Sequence, residues 1–380
     1  AGISSALLFV LACGAQAPAG LGGQSAPAQP LKIGAIFSTT GALAGLGQEE
    51  LWGAQVFVEE FNGKGGLNGR KIELIHINDE SKAEQGLSAA KRLIQQDKVL
   101  AIVGPASVVI ATSISPVLDE NKVPAVTAIG DKGPITPYTF ASAPVIGIND
   151  TTIKLAKEKG LTKVGLICQA GPNCEGFKKT IIPDVERELQ LITVEQIQPA
   201  DTDATPILAK MRSMGVQTVY SPITGQQAAI IARNFKQINY PGIFATTSQN
   251  ANDTFIGLVG DAADIVNING PKIYIYRDLP DSDPDKARLT AFAKAYAAKS
   301  GGKEPTQSAG LGYDVLLSLT EAIKVAGDNQ EKIRETLENQ KGLKALTGTI
   351  NRSASEHNGM GADWVPMGID AAAKRFTLKK

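Results

Sequence analysis

The sequence predicts an α/β protein made of two doubly wound lobes. Three observations carry that expectation. Short apolar runs rich in β-branched residues alternate with amphipathic helical stretches from Leu31 to Ala128, and the alternation restarts near Gly147. A Pro/Asp-rich connection from Asp278 to Pro284 then opens a block of helices with little strand between them. At 380 residues the chain is too long for one core.

Taken in order, Leu31 to Phe37 reads as the first strand, followed by a Gly-rich loop and a helix from about Gln48 to Phe61. Glycines at 41, 45 and 47 do not make a dinucleotide fingerprint. The turn at 62–69 leads to a strand over 71–78 and a helix over 84–96. Val99 to Val103 is a short run suited to a strand buried on both faces. Gly104-Pro105 ends it, and Ser107 stands at the N-cap of a helix beginning VVIATSIS. That geometry turns free backbone N–H groups toward the carboxyl edge of a parallel sheet, where α/β folds hold ligands and a carboxylate is favoured. An ordinary βα turn with a capping serine has the same pattern. Val123 to Ala128 is the next strand, with Ile129, Gly130 and Asp131 just past its end.

The second series places helices at 149–159, 175–189, 205–213 and 225–237. Its strands fall at 164–168, 191–196, 218–220 and 242–245. Helices at about 285–299, 308–326 and 329–339 have no strands of their own and must pack on an existing sheet, most economically the first. Residues 346–380 read as a strand, a loop and a final strand.

Residues 1–30 stand apart from the fold. Ile3 to Ala12 has the length of a signal-peptide apolar core, too short to span a bilayer. Val10-Leu11-Ala12-Cys13 resembles a lipobox, which would make Cys13 an acylated anchor ahead of a Gly/Ala/Pro-rich tether. Cleavage near Ala15-Gln16-Ala17 and plain secretion is the alternative. Both readings export the protein. Cys168 and Cys174, six positions apart, suit a small-loop disulfide in an oxidising compartment or two buried thiols.

Several stretches together resemble the substrate-binding proteins of branched-chain amino-acid ABC transporters. They are IGAIFSTTGALAGLG, GAQVFVEEFNGKGGLNGRKIEL, VGPASVVIATSISPVLDENKVPAVTA, SPITGQQAAIIARNF and GYDVLLSLTEAI. The resemblance runs from about Leu31 to the C-terminus. It implies a type I periplasmic binding fold: two lobes, a three-crossover hinge and a ligand in the cleft between them. Lobe one would be 31–145 plus 278–345, and lobe two 146–277 plus 346–380. It also implies a monomer whose partners are a small-molecule ligand and a membrane permease.

The resemblance further implies which residues meet the ligand. The turn carrying Ala106, Ser107 and Val108 would hold a ligand carboxylate through N–H groups and a hydroxyl. Ile129 to Asp131 would add a carbonyl and a side chain, and Gln169, Asn173, Thr224 and Ser248 would come from lobe two. Val108 stands where a serine is usual and Asp131 where a threonine is usual. Asn173 and Thr224 replace aromatics, and Ser248 replaces the acidic residue that pairs with an ammonium. An ammonium without a partner in a closed cleft costs several kcal/mol. The departures therefore favour a small carboxylate with an apolar or aromatic body over a branched-chain amino acid. Asp131 is either a relocated ammonium partner or a solvated turn residue beside Lys132. Leu46, Val108 and Ile129 form a candidate apolar wall, while Trp52 is expected in the core.

Three function classes compete: a transport receptor, an extracellular sensor of the same fold, and an α/β enzyme. The 38 basic and 38 acidic residues balance, so no net charge draws the chain to nucleic acid or to an anionic membrane. His76 and His357 are the only histidines, and no G-x-S-x-G or P-loop occurs. The reading is a non-enzymatic receptor with no cofactor and no metal site.

Overall fold

The computed structural model describes residue 2 and residues 29–130, 136–143, 150–361 and 363–379. The apolar run at 3–12, Cys13, most of the tether, Asp131 and the restart at Gly147 lie outside the described residues, as does the side chain of Asn173.

The first lobe opens with β1 (Leu31–Phe37), α1 (Ala44–Gly63), β2 (Ile72–Asn78), α2 (Ala83–Gln95) and β3 (Ala101–Val103). It continues with α3 (Val108–Asn121), β4 (Ala125–Thr127) and β5 (Thr139–Ala141). The five strands are parallel in the order β2-β1-β3-β4-β5, with Ile33 of β1 beside Ala101 of β3. Chain direction across the sheet reverses at β1, and ligands of such sheets sit outside the carboxyl ends at that switch point. β5 is absent from the sequence-based expectation: three residues are too few to show a period.

The second lobe runs α4 (Asp150–Glu158), β6 (Lys163–Gln169), α5 (Pro172–Glu188), β7 (Gln190–Ile197), α6 (Thr205–Ser213) and β8 (Thr218–Ser221). α7 (Gly225–Gln237), β9 (Ile243–Thr246), α8 (Asp253–Val259) and β10 (Val266–Pro271) complete the series. Neither α8 nor β10 is expected from sequence. β10 reads VNINGP, so its polar residues hide a strand that is buried along its whole length. Its asparagines are satisfied inside the protein: Asn267 Nδ2 donates to the Phe244 carbonyl at 2.9 Å, and Asn269 Nδ2 donates to Thr152 Oγ1 at 2.5 Å.

The helical block is α9 (Lys286–Ser300), α10 (Gln307–Ala326) and α11 (Gln330–Glu338), and it packs on the first lobe as expected. α10 lies along α1 at very close range. A Cβ at Gly312 would fall 1.9 Å from the Glu50 carbonyl oxygen, and one at Gly53 would fall 1.9 Å from that of Ala309. Only glycine permits this reciprocal backbone contact.

The tail departs from expectation. β11 (Leu343–Lys344), β12 (Thr349–Ile350) and β13 (Met360–Gly361) form a small antiparallel sheet. Residues 346–361, expected with lobe two, pack instead on lobe one, where Ala345, Ile350 and Met360 cluster with Leu317 of α10. Arg352, fully buried, fastens this segment. Its guanidinium donates to Ser318 Oγ at 2.7 Å, Gln340 Oε1 at 2.6 Å and the carbonyl of Ala141 at 2.8 Å. Burial pulls its pKa down to about 9, so it stays charged at neutral pH. Only β14 (Trp364–Asp370) and β15 (Arg375–Leu378) join the second sheet, ordered β15-β14-β10-β9-β8-β6-β7. β14 pairs antiparallel to β10, whereas β6 to β10 run parallel. Cys168 and Cys174 are joined in a disulfide, with Cα atoms 5.3 Å apart.

Candidate ligand-binding cleft

The loops beyond the strand ends of both lobes enclose a cleft of about 680 Å³, within the range of small-molecule sites. It takes its lobe-one wall from the starts of α1, α3 and α10 and from residues 128–130. Its lobe-two wall comes from the starts of α7 and α8 and from residues 248–249. Tyr274 and Trp364, each between the lobes in sequence, also line it.

Of the sequence-derived candidates, the structure brings Leu46, Ala106, Val108, Ile129, Gly130, Thr224 and Ser248 to this cleft. Ser107 lies between two lining residues but is not itself in the lining. It is the N-cap of α3 with extended backbone, φ −111° and ψ 128°, yet its hydroxyl makes no capping hydrogen bond. Gln169 is outside the lining: its amide donates to Gln227 Oε1 at 2.8 Å, within lobe two. Asn173 lies in the first turn of α5. Trp52 packs edge-on against Tyr296, in keeping with a core role.

The turn ahead of α3 depends on Gly104. Its φ is +81°, and a Cβ there would lie 2.1 Å from the Ile36 carbonyl oxygen. Glycine thus lets β3 end against β1 and point α3 at the cleft.

Helix starts set the polarity of the cleft, and α7, α8 and α10 each have an early amide bonded within the protein. Gly225 N donates to Asn250 Oδ1 at 2.8 Å, Phe255 N to Asn252 Oδ1 at 2.9 Å, and Gln307 N to the Tyr274 hydroxyl at 3.0 Å. The first amides of α3, Val108 to Ile110, have no such partner among the described residues. α3 therefore presents uncompensated N–H groups and the positive end of its dipole.

Sequence reasoning misses two residues. Glu49 on α1 is the one acidic side chain lining the cleft among the described residues, and no Lys, Arg or His joins it there. Thr306 Oγ1 donates to Glu49 Oε2 at 2.6 Å. Burial raises the Glu49 pKa, and the Thr306 hydrogen bond opposes that rise. Asn358 is the other: its Nδ2 donates to the Ala143 carbonyl at 2.9 Å, fixing one edge of the cleft wall. Nothing in a Gln-Glu-Glu run or a Gly/Asn-rich tail marks either residue, because each acts on a segment hundreds of positions away. No group of three or more His, Cys, Asp or Glu among the described residues could hold a metal ion.

Two α/β lobes, joined by three chain crossings and sharing a cleft lined by helix starts, define a hinged receptor for a small molecule. The chain belongs to the periplasmic binding protein family, whose profile matches residues 30–374. It is therefore a solute-binding protein and not an enzyme. It is 27% identical over 280 residues to the Leu/Ile/Val-binding protein BraC3 of Rhizobium johnstonii, covering 71% of this chain and 73% of that one. Its fold matches an extracellular ligand-binding receptor from Rhodopseudomonas palustris with a TM-score of 0.71 and 22% identity, over 92% of this chain and 99% of the other. It also matches the branched-chain amino acid substrate-binding protein LivJ of Streptococcus pneumoniae, solved with isoleucine, with a TM-score of 0.69 and 23% identity. That match covers 92% of this chain and 99% of the other.

Proposed function

We propose that this protein is the exported receptor of an ABC importer. It captures a small carboxylate with an apolar or aromatic body between its lobes and delivers it to a permease. The observation that carries this reading is the start of α3, whose first amides have no hydrogen-bond partner among the described residues and whose first residue, Val108, lines the cleft. A carboxylate there gains charge-assisted hydrogen bonds and the helix dipole. Leu46, Val108, Ile129 and Leu311 offer an apolar surface for the rest of the ligand. The names of the relatives, which bind branched-chain amino acids, agree with that combination. Lobe one is read as 31–143 with 278–361, and lobe two as 150–277 with 364–379.

The test is a thermal-shift and calorimetric screen of matched pairs: L-leucine with 4-methylpentanoate, and L-phenylalanine with 3-phenylpropanoate. A ligand at a hundredfold excess over Kd adds about 2.7 kcal/mol of stability, well within detection. Ser107→Ala should weaken whichever member binds by roughly 1–3 kcal/mol, as for a hydrogen bond to a charged group. Absence of binding by every carboxylate tested would overturn the reading. For export we favour anchoring through Cys13. Cys13→Ala in the precursor should then release the protein from membranes, and unchanged membrane association would leave ordinary cleavage.

A further inference from the structure

The plain-acid preference read from sequence rests on the lack of an anion for a ligand ammonium, since Ser248 occupies the usual acidic position. The structure supplies one elsewhere. We propose that Glu49 holds a cationic group of the ligand, so that the cleft selects an amino acid over the plain acid of the same skeleton. This inference rests on the carboxylate reading of the site and adds to it the residue that decides specificity.

Glu49 is built to present its charge. The Thr306 hydroxyl accepts from Ala309 N at 3.3 Å, which leaves its hydrogen to be donated to Glu49 Oε2. One carboxylate oxygen is thereby pinned, and the other has no hydrogen-bond partner among the described residues. Among the described residues no cation pairs with it by contact. Lys303, whose charge reaches Glu49, sits with its ammonium 5.2 Å over the Trp52 ring instead. Asp253 adds a second negative field, and the buried Glu50 lies next to Glu49 in the chain. A plain carboxylate entering this cleft meets a like charge, with no basic side chain among the described lining residues to offset it. A zwitterion places its carboxylate on α3 and its ammonium on Glu49, and both charges are satisfied. Burial raises the Glu49 pKa, and a ligand cation beside it would oppose that rise.

Glu49 could instead serve only as a counter-charge to the start of α10, where Thr306 is the N-cap. Two calorimetric measurements at pH 7.5 separate these roles. In the parent protein, L-leucine should bind at least tenfold more tightly than 4-methylpentanoate. Glu49→Gln keeps an oxygen for Thr306 and should lower that ratio at least tenfold, weakening leucine while sparing or improving the plain acid. An unchanged ratio in a folded Glu49→Gln protein overturns the inference and leaves the receptor reading intact. Should that variant fail to fold, a parent preference for the plain acid overturns it, and a tenfold preference for leucine upholds it. Failure of both compounds and of the phenylalanine pair to bind the parent removes the carboxylate reading, and this inference with it.

Discussion

Asp314, fully buried on α10, shows how one carboxylate can serve structure and still make stability depend on pH. It accepts from Leu346 N at 2.7 Å and from Thr347 N and Oγ1 at 2.9 and 2.7 Å, and so ties the tail to the helix. Burial nevertheless outweighs these bonds and pushes its pKa up to about 6. In the unfolded chain it titrates near 3.9. The folded state therefore binds the extra proton between those values. The stabilisation is complete below about pH 4 and is lost as pH rises through 6, roughly 2–3 kcal/mol in all. Asp314→Asn should remove this slope and cost about 1–3 kcal/mol by facing an amide donor against N–H groups. Urea unfolding of both proteins from pH 4 to pH 7.5 checks this: the variant's deficit should be largest at low pH and shrink above pH 6.

Among the elements, the pair α1 and α10 does most to shape the cleft. Their backbones touch at Gly53 and Gly312, and that approach brings Glu49 within reach of Thr306. Gly312→Ala should force the helices apart, costing roughly 1–3 kcal/mol by overpacking. Ligand affinity should fall with it, because the Glu49–Thr306 bond spans the same crossing. A chemical denaturation curve and a binding isotherm measure the two effects; unchanged affinity would show that the crossing does not set the site. Elements with strong periods or clear stops were readable from sequence: α6 and α7, with Pro206 and Gly225 at their starts, match their expected bounds. β10 was not, because buried Asn267 and Asn269 look like loop residues until their partners are seen. Ala106, Val108, Ile129 and Gly130 could be anticipated as neighbours because they flank strand ends, and Leu46 through the family resemblance. Glu49 could not, because its partner Thr306 is 257 residues away.

At the scale of the molecule, the three crossings make the lobes a hinge, and ligand should select a closed form. Small-angle scattering at saturating ligand should give a smaller radius of gyration than the ligand-free protein, with little change inside either lobe. An identical profile in the two states would count against hinge closure. Lobe-one anchors such as Arg352 and Asn358 hold the tail to the β5 edge up to Ala143.

The interleaving of the lobes along the chain also bears on the order in which they can be made. The face of the first sheet that carries α1 stays only partly covered until α10 exists, although every strand of that sheet is complete by Ala141. A ribosome must add almost half of the protein, including the whole second series, before that face can be fully covered. Contacts so distant in sequence form slowly. A chain built this way remains threadable until late in its synthesis, which suits passage through a translocation channel ahead of folding. A fragment ending at residue 300 should accordingly leave β1 to β5 without stable protection in hydrogen exchange, and restoring residues 301–361 should recover it.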